Sequence, residues 1–92
     1  MMDNQDWLAE YVRTGSDASF RELVTRYVDL VYSTALRLVG GDTHRAEDVA
    51  QTVFVNLSRV ARTLPKDVKL GGWLHRDTCF TASTVMRGER RR

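Results

Sequence analysis

The sequence predicts an all-α fold, a compact bundle of about four helices. Apolar residues recur at intervals of three and four along most of the chain, and no segment shows the apolar–polar alternation of a strand. Glycines and a single proline divide the chain into four segments. With 92 residues, 42% of them hydrophobic, the chain can form one small domain with a modest core.

The first two predicted helices are bounded by capping residues and glycines. The first covers "DNQDWLAEYVRT". Asp3 or Asn4 is the expected N-cap, and Gly15 is expected to end the helix in the left-handed conformation. The second begins at Ser16 or Asp17 and ends at the glycine pair 40–41. Its wide apolar stripe predicts a central helix, buried over much of its circumference. The stripe contains Phe20, Leu23, Val24, Tyr27, Val28, Val31, Tyr32, Ala35, Leu36 and Val39, whereas Leu30 and Leu38 lie off it.

The last two predicted helices follow the glycine pair. Thr43 is the expected N-cap of the third helix, which keeps a regular three–four spacing until Pro65 stops it. "PKDVKLGG" is expected to be a loop, and the fourth helix to run from about Gly72 to about Gly88. The core face of this helix includes Trp73 and Leu74 but also a carboxylate, Asp77. A buried carboxylate needs a partner, for which a nearby arginine or histidine is expected.

Charge and composition limit the classes of function. Residues 1–30 contain six acidic residues and three arginines, a net charge of −3. Residues 71–92 contain five arginines and two acidic residues, a net charge of +3. This asymmetry indicates either an anionic partner at the C-terminal end or a solvated basic tail. No apolar run approaches the roughly 20 residues of a membrane span, and the acidic N-terminus is not a secretion signal. One cysteine, Cys79, is compatible with a cytoplasmic location.

The outer face of the third helix carries few charges. Asp48, Gln51, Thr52, Val55 and Arg59 lie opposite the apolar stripe, at steps of three and four. A solvated helix face normally carries lysine and glutamate, whereas an amide, a hydroxyl and an exposed valine suit a protein-binding patch. The alternative is an ordinary surface with one stray valine.

The outer face of the fourth helix combines cations with a ring. Phe80 lies between Arg76 and Arg87, and single-stranded nucleic acid binds to such combinations because rings stack on bases while arginines contact phosphates. The alternative is that Phe80 and Met86 pack against the first helix.

No constellation predicts catalysis, a metal or a cofactor. His75 and Cys79 are four residues apart and could share a metal ion, but with His44 elsewhere in the chain they form a thin set of ligands. Neither glycine pair has the further glycine and lysine of a phosphate-binding loop. We therefore expect a protein that is not an enzyme.

Two motifs together resemble region two of bacterial sigma factors, specifically the extracytoplasmic-function group. The segment "AEDVAQTVFVNLSR" is followed, after a loop, by "GGWLHR…VMRGERRR", and "FRELVTRYVDLVYSTALRLVGGD" looks like the preceding helix of that family. The resemblance covers residues 17–92 and implies a region-two helical domain over residues 1–88. It also implies that residues 89–92 are a basic tail, the start of a linker to an absent C-terminal helix-turn-helix domain. The chain is thus expected to be a fragment of a longer factor.

The resemblance implies a polymerase-binding role for the third helix. In such proteins this helix docks on the clamp helices of the beta-prime subunit of core RNA polymerase. Asp48 and Gln51 match the acid and the amide of the motif, and Thr52 stands where the family usually has glutamate. With Val55 on the same face, these four residues are the candidate polymerase-binding site.

The resemblance also implies that the following loop and the fourth helix recognise and melt the minus-ten promoter element. There the non-template strand is opened and a base is flipped from the stack. The candidate DNA-binding residues are Lys66, Lys69, Arg76, Phe80 and Arg87. This chain reads "RDTCF" where the family tends to have "RIARN", so Asp77 replaces an apolar residue and Phe80 replaces asparagine.

The expected function is therefore that of a transcription initiation module that binds core RNA polymerase and promoter DNA, with an anti-sigma factor as a further candidate partner. One alternative is a small helical regulatory module that binds protein without contacting DNA. A more distant one is a metal-responsive sensor that uses His75 and Cys79.

Overall fold

Helices account for nearly all of the described chain. The computed structural model describes the backbone of residues 4–90 and the side chains of residues 6–88. It contains α1 (Asn4–Thr14), α2 (Asp17–Leu38), α3 (Thr43–Val60) and α4 (Leu70–Arg90), with a 3-10 turn at Ala61–Thr63 between the last two helices. No strand occurs between residues 4 and 90, so the predicted all-α bundle is confirmed. None of the described helices is both long and apolar enough to cross a bilayer.

The turns that join the first three helices use the expected glycines. Gly15 has a φ of 68° and donates its N–H to the Tyr11 carbonyl at 2.7 Å, which ends α1 in the predicted left-handed conformation. Ser16 caps α2, because its hydroxyl accepts from the Ser19 N–H at 3.3 Å. Gly40 and Gly41 also have positive φ, so the chain reverses between α2 and α3 without strain from a Cβ atom.

The core surrounds α2, which packs against each of the other three helices. Leu23, Val31 and Ala35 project from α2 into the bundle and are at most 1% exposed. Leu57 of α3 and Leu74 of α4 meet them there, each completely buried. Thr78 is also fully buried, and its hydroxyl donates to the Leu74 carbonyl at 2.6 Å. This internal hydrogen bond explains how the partly hydroxylated face of α4 can lie in the core.

Two predicted helix boundaries in α3 are wrong. The N-cap is Asp42 rather than Thr43, because the Asp42 carboxylate accepts from the Arg45 N–H at 3.1 Å. The helix ends at Val60 instead of continuing to the proline, and the 3-10 turn tightens the chain beyond it. Leu64 is then extended, with ψ of 142°, as expected for a residue that precedes proline.

The start of α4 also differs from the prediction. The helix begins at Leu70, two residues before the expected Gly72, so both glycines 71 and 72 lie in its first turn. Leu70 is 3% exposed and packs in the core one turn before Leu74. Burial of this leucine offsets the low helix propensity of the glycines, which costs about 1 kcal/mol each. At its other end α4 continues to Arg90, two residues into the segment predicted as a tail, and residues 91 and 92 lie outside the described chain.

Candidate functional site

The four candidate polymerase-binding residues lie on one exposed face of α3. Asp48, Gln51, Thr52 and Val55 are all exposed and lie opposite the buried stripe that contains Val53. We call these four residues the α3 row. The exposed fraction of Val55 is 41%, so the low-charge face has an accessible apolar centre.

An apolar cavity extends the α3 row toward α2. Its volume is about 370 Å³. The lining residues are Phe20, Val24 and Val28 of α2 and Ala50, Gln51, Phe54, Val55 and Ser58 of α3. The sequence pattern predicts Val28 in the core stripe, whereas 37% of its surface is exposed. The periodicity of α2 alone could not show this, because the width of its stripe exceeds what α3 and α4 cover.

Four of the five candidate DNA-binding residues lie along one exposed face of α4. We call Lys69, Arg76, Phe80 and Arg87 the α4 row; their spacings of seven, four and seven residues keep them on the side opposite the core. Lys69 directly precedes the helix, and its carbonyl accepts from the Trp73 N–H at 3.0 Å, which keeps it in helical register. Lys66 does not join the row, since it lies in the loop and lines a cavity against α1.

Phe80 is the most exposed large hydrophobic residue described. Its exposed fraction is 66%, so the alternative that it packs against α1 is wrong. Met86, the other residue in that alternative, is half-buried, and its sulfur accepts from the Arg45 guanidinium at 3.9 Å. A single exposed apolar side chain is ordinary on a protein surface, so this exposure shows that the ring is accessible to a partner.

The cations of the α4 row are available to an anion. No ion pair joins Lys69, Arg76 or Arg87 to an acidic residue within the part of the chain that the structure describes. The Arg87 guanidinium donates to the Thr84 hydroxyl at 3.4 Å, and Thr84 lies one helical turn after Phe80. These guanidinium groups therefore keep most of their hydrogen-bonding capacity for an incoming phosphate.

A polar contact connects the helices that carry the two rows. The Asn56 amide of α3 donates to the Asp77 carboxylate of α4 at 3.0 Å, and both side chains are half-buried. The expectation that an arginine or histidine would pair with Asp77 is wrong. An amide supplies the hydrogen bond without a second charge, which suits a half-buried site. Asn56 follows Val55 in the chain and Asp77 follows Arg76, so each partner is the sequence neighbour of a residue in one of the rows.

His75 and Cys79 are neighbours, as their spacing predicts. The imidazole Nε2 and the Cys79 sulfur are 3.7 Å apart. Within the described residues, no group of three or more histidine, cysteine or carboxylate side chains could hold a metal ion. Among the described residues, the pair thus has no third ligand of these types.

Comparison with known proteins places the chain in a family. Residues 23–92 match the family described as Sigma-70 region 2. The chain is 37% identical over 79 residues to the ECF RNA polymerase sigma factor SigE of Mycolicibacterium smegmatis, an alignment that covers 83% of this chain and 30% of that protein. It is 31% identical over 65 residues to the ECF RNA polymerase sigma factor SigW of Bacillus subtilis, covering 71% of this chain and 34% of that protein.

The chain thus spans about a third of the length of these curated relatives. No solved structure gives a significant match. The matched family is one of helical domains, in agreement with the four helices described above. The family match covers most of the chain and includes both rows, and we conclude that the chain belongs to the Sigma-70 region 2 family, as a region-two domain of the ECF sigma factor type.

Proposed function

We propose that this domain is a non-enzymatic transcription initiation module. It binds the beta-prime clamp helices of core RNA polymerase through the α3 row, and it recognises and melts the minus-ten promoter element through the α4 row and Lys66. The observation that carries the proposal is the position of the two rows on different helices of a Sigma-70 region 2 domain. Polymerase and promoter can therefore be bound together. This function implies work beside RNA polymerase in the cytoplasm.

The α3 row suits a protein partner. Interface centres are depleted of charge and bury apolar groups, while charges lie at the rim. Val55 and the adjacent apolar cavity supply such a centre, and Asp48 supplies a charge beside it. Thr52 removes a charge that the family usually has at this position, so apolar contacts carry a larger share of the binding here. An anti-sigma factor that competes with polymerase for this surface would contact the α3 row.

The α4 row suits an opened DNA strand. Flipping a base from the stack costs a few kcal/mol, which contacts in the complex must offset. Stacking of a base on an aromatic ring contributes about 1–3 kcal/mol, so Phe80 could supply a comparable amount. Phe80 has no donor or acceptor in its side chain, and stacking tolerates any base. We therefore expect weaker discrimination at this position than asparagine would give.

A binding measurement with core RNA polymerase tests the α3 row. The double variant Asp48→Ala, Gln51→Ala should bind about fivefold to tenfold more weakly, because it removes a rim charge and an amide from the interface. The control variant Asp29→Ala, Ser33→Ala removes the same charge from an exposed face of α2. Equal affinities for the two double variants would refute the docking assignment.

The salt dependence of promoter binding tests the α4 row. In complex with core polymerase, Lys69→Gln, Arg76→Gln should lower the slope of log affinity against log salt by about 1 for each phosphate contact that the substitutions remove. Arg21→Gln, exposed on α2, provides the control for a general change of charge. An unchanged slope would exclude both residues from the phosphate contacts.

The alternative is a helical module that binds only protein, and the apolar cavity beside Val55 is the observation that favours it. The two functions differ in what the α4 row does. If the unaltered domain binds core polymerase and the α3-row variants do not, but the domain neither binds nor opens promoter DNA on polymerase, the protein-only function is correct.

A further inference from the structure

A second groove lies away from both rows, between α1 and the segment that follows α3. Its volume is about 510 Å³, larger than that of the cavity beside Val55, and the two cavities have no described lining residue in common. One wall is formed by four residues of α1 and the other by the segment 61–66. The described lining residues are Leu8, Ala9, Val12, Arg13, Ala61, Arg62, Leu64, Pro65 and Lys66. We call this the α1 groove.

The α1 groove combines an aliphatic floor with a basic rim. Leu8 and Ala61 are buried at its base, and Val12 and Leu64 are half-buried along its sides. Among the described lining residues, every charged one is a cation: Arg13, Arg62 and Lys66. Arg13 is paired with Glu10 at 3.0 Å, but its side chain remains 70% exposed. Neither Arg62 nor Lys66 forms an ion pair with a described residue.

The chemistry of the lining selects one class of ligand. The described lining contains no aromatic ring for base stacking and no amide or hydroxyl side chain, and its aliphatic floor offers no polar partner to a sugar–phosphate chain. Aliphatic side chains need only an apolar surface, which the floor provides. Carboxylates complement the three cations at the rim. The dimensions also suit a small segment, since ligand pockets commonly measure about 300–1,000 Å³.

We propose that the α1 groove is a docking site for an acidic peptide segment of a protein partner. Leucine-like side chains of the segment fill the aliphatic floor, and its carboxylates pair with Arg62, Lys66 and Arg13. The site is separate from the α3 row, so a partner bound here leaves the proposed polymerase-binding face accessible. Lys66 is also a candidate DNA contact, so an occupied groove competes with DNA for that one cation.

A titration of the 92-residue chain with defined probes tests the proposal. The main probe is a short peptide in which glutamates alternate with leucines. One matched peptide replaces leucine by serine, another replaces glutamate by lysine, and a single-stranded oligonucleotide is the fourth probe. Amide chemical shifts are measured because they locate the bound probe on the chain.

The glutamate–leucine peptide should shift amides in segments 8–13 and 61–66 and leave those of the α3 row unchanged. The serine peptide should bind at least about tenfold more weakly, because its side chains cannot fill the floor. The lysine peptide should not bind. If the serine peptide binds equally well, the groove is only a charged surface, and if the oligonucleotide alone shifts these segments, the ligand is nucleic acid. Either result, or no binding by any probe, overturns the proposal.

Variants separate the α1 groove from the proposed promoter function, because they are chosen outside both rows. Arg62→Glu should weaken binding of the glutamate–leucine peptide about fivefold by replacing attraction with repulsion. Arg21→Glu makes the same change of charge on α2, outside the lining, and should have a smaller effect. Ala9→Trp should block the groove without altering its charge. Equal binding by Arg62→Glu and Arg21→Glu would refute the site even if the assignments of both rows hold.

Discussion

The hydrogen bond between Asn56 and Asp77 should stabilise the contact of α3 with α4 in a way that a double-mutant cycle can measure. The cycle consists of Asn56→Ala, Asp77→Ala and the double variant. Each single change removes one partner and leaves the other half-buried without its hydrogen bond. The double variant removes both, so its decrease in stability should be smaller than the sum of the two single decreases.

The size of the coupling follows from the geometry and the burial. A hydrogen bond to a charged acceptor contributes about 1.5–3 kcal/mol when it is well shielded from water. The amide nitrogen and the carboxylate oxygen are 3.0 Å apart, which is good geometry, but both side chains are only half-buried. Water can therefore compete for part of this energy. We expect a coupling free energy of about 1–2 kcal/mol. For a domain of this size, such a free energy corresponds to a change of about 4–16 °C in melting temperature.

Urea denaturation followed by far-UV circular dichroism gives the four free energies of unfolding that the cycle needs. The Glu10–Arg13 pair provides a matched control, because its distance is also 3.0 Å but its side chains are 34% and 70% exposed. The control cycle should give less than about 0.5 kcal/mol. A coupling for Asn56 and Asp77 no larger than that of the exposed pair would show that half-burial gives this contact no added strength.

Three further predictions concern the core, a helix cap and the α4 row. Leu74→Ala should lower the free energy of unfolding by about 2–5 kcal/mol because Leu74 is fully buried, and a decrease below about 1 kcal/mol in urea denaturation would contradict its place in the core. Asp42→Ala should cost about 1 kcal/mol, measured as a drop in melting temperature, whereas Thr43→Ala should cost clearly less; the reverse order would make Thr43 the cap. Phe80→Ala should leave stability within about 0.5 kcal/mol of the original while it weakens single-strand binding on polymerase by about 1–3 kcal/mol. For that last variant, a large decrease in stability would mean that Phe80 packs against the bundle after all.

The presence and order of the four helices could be predicted because they depend on residues that are close in the chain. The three–four spacing, the glycine at position 15 and the capping serine at position 16 are local signals, and the structure confirms them. The end of α3 and the start of α4 depend on tertiary packing instead. Gly71 and Gly72 suggest a loop, whereas the burial of Leu70 in a core built by other helices favours a helix that includes them.

The partners of individual side chains were harder to predict than the faces of the helices. Asp77 was expected to lie on the inner side of α4, and it does lie half-buried there, but periodicity could not show which α3 residue meets it. The exposure of Phe80 depends on the absence of a neighbour over that part of α4, among the described residues, which no local pattern records. The basic rim of the α1 groove likewise comes from residues far apart in the chain.

The position of each row on the side of its helix opposite the core has a consequence for how such a domain can change. Substitutions at exposed helix positions usually alter stability by less than about 0.5 kcal/mol. The residues of the α3 and α4 rows can therefore vary with little effect on folding, whereas Leu23, Leu57 and Leu74 cannot. The residues proposed to contact partners and the residues that determine folding are therefore nearly separate sets, and selection can act on each set alone. A library randomised only at the two rows should contain mostly folded members, and under the proposed function altered promoter preferences could be selected from it.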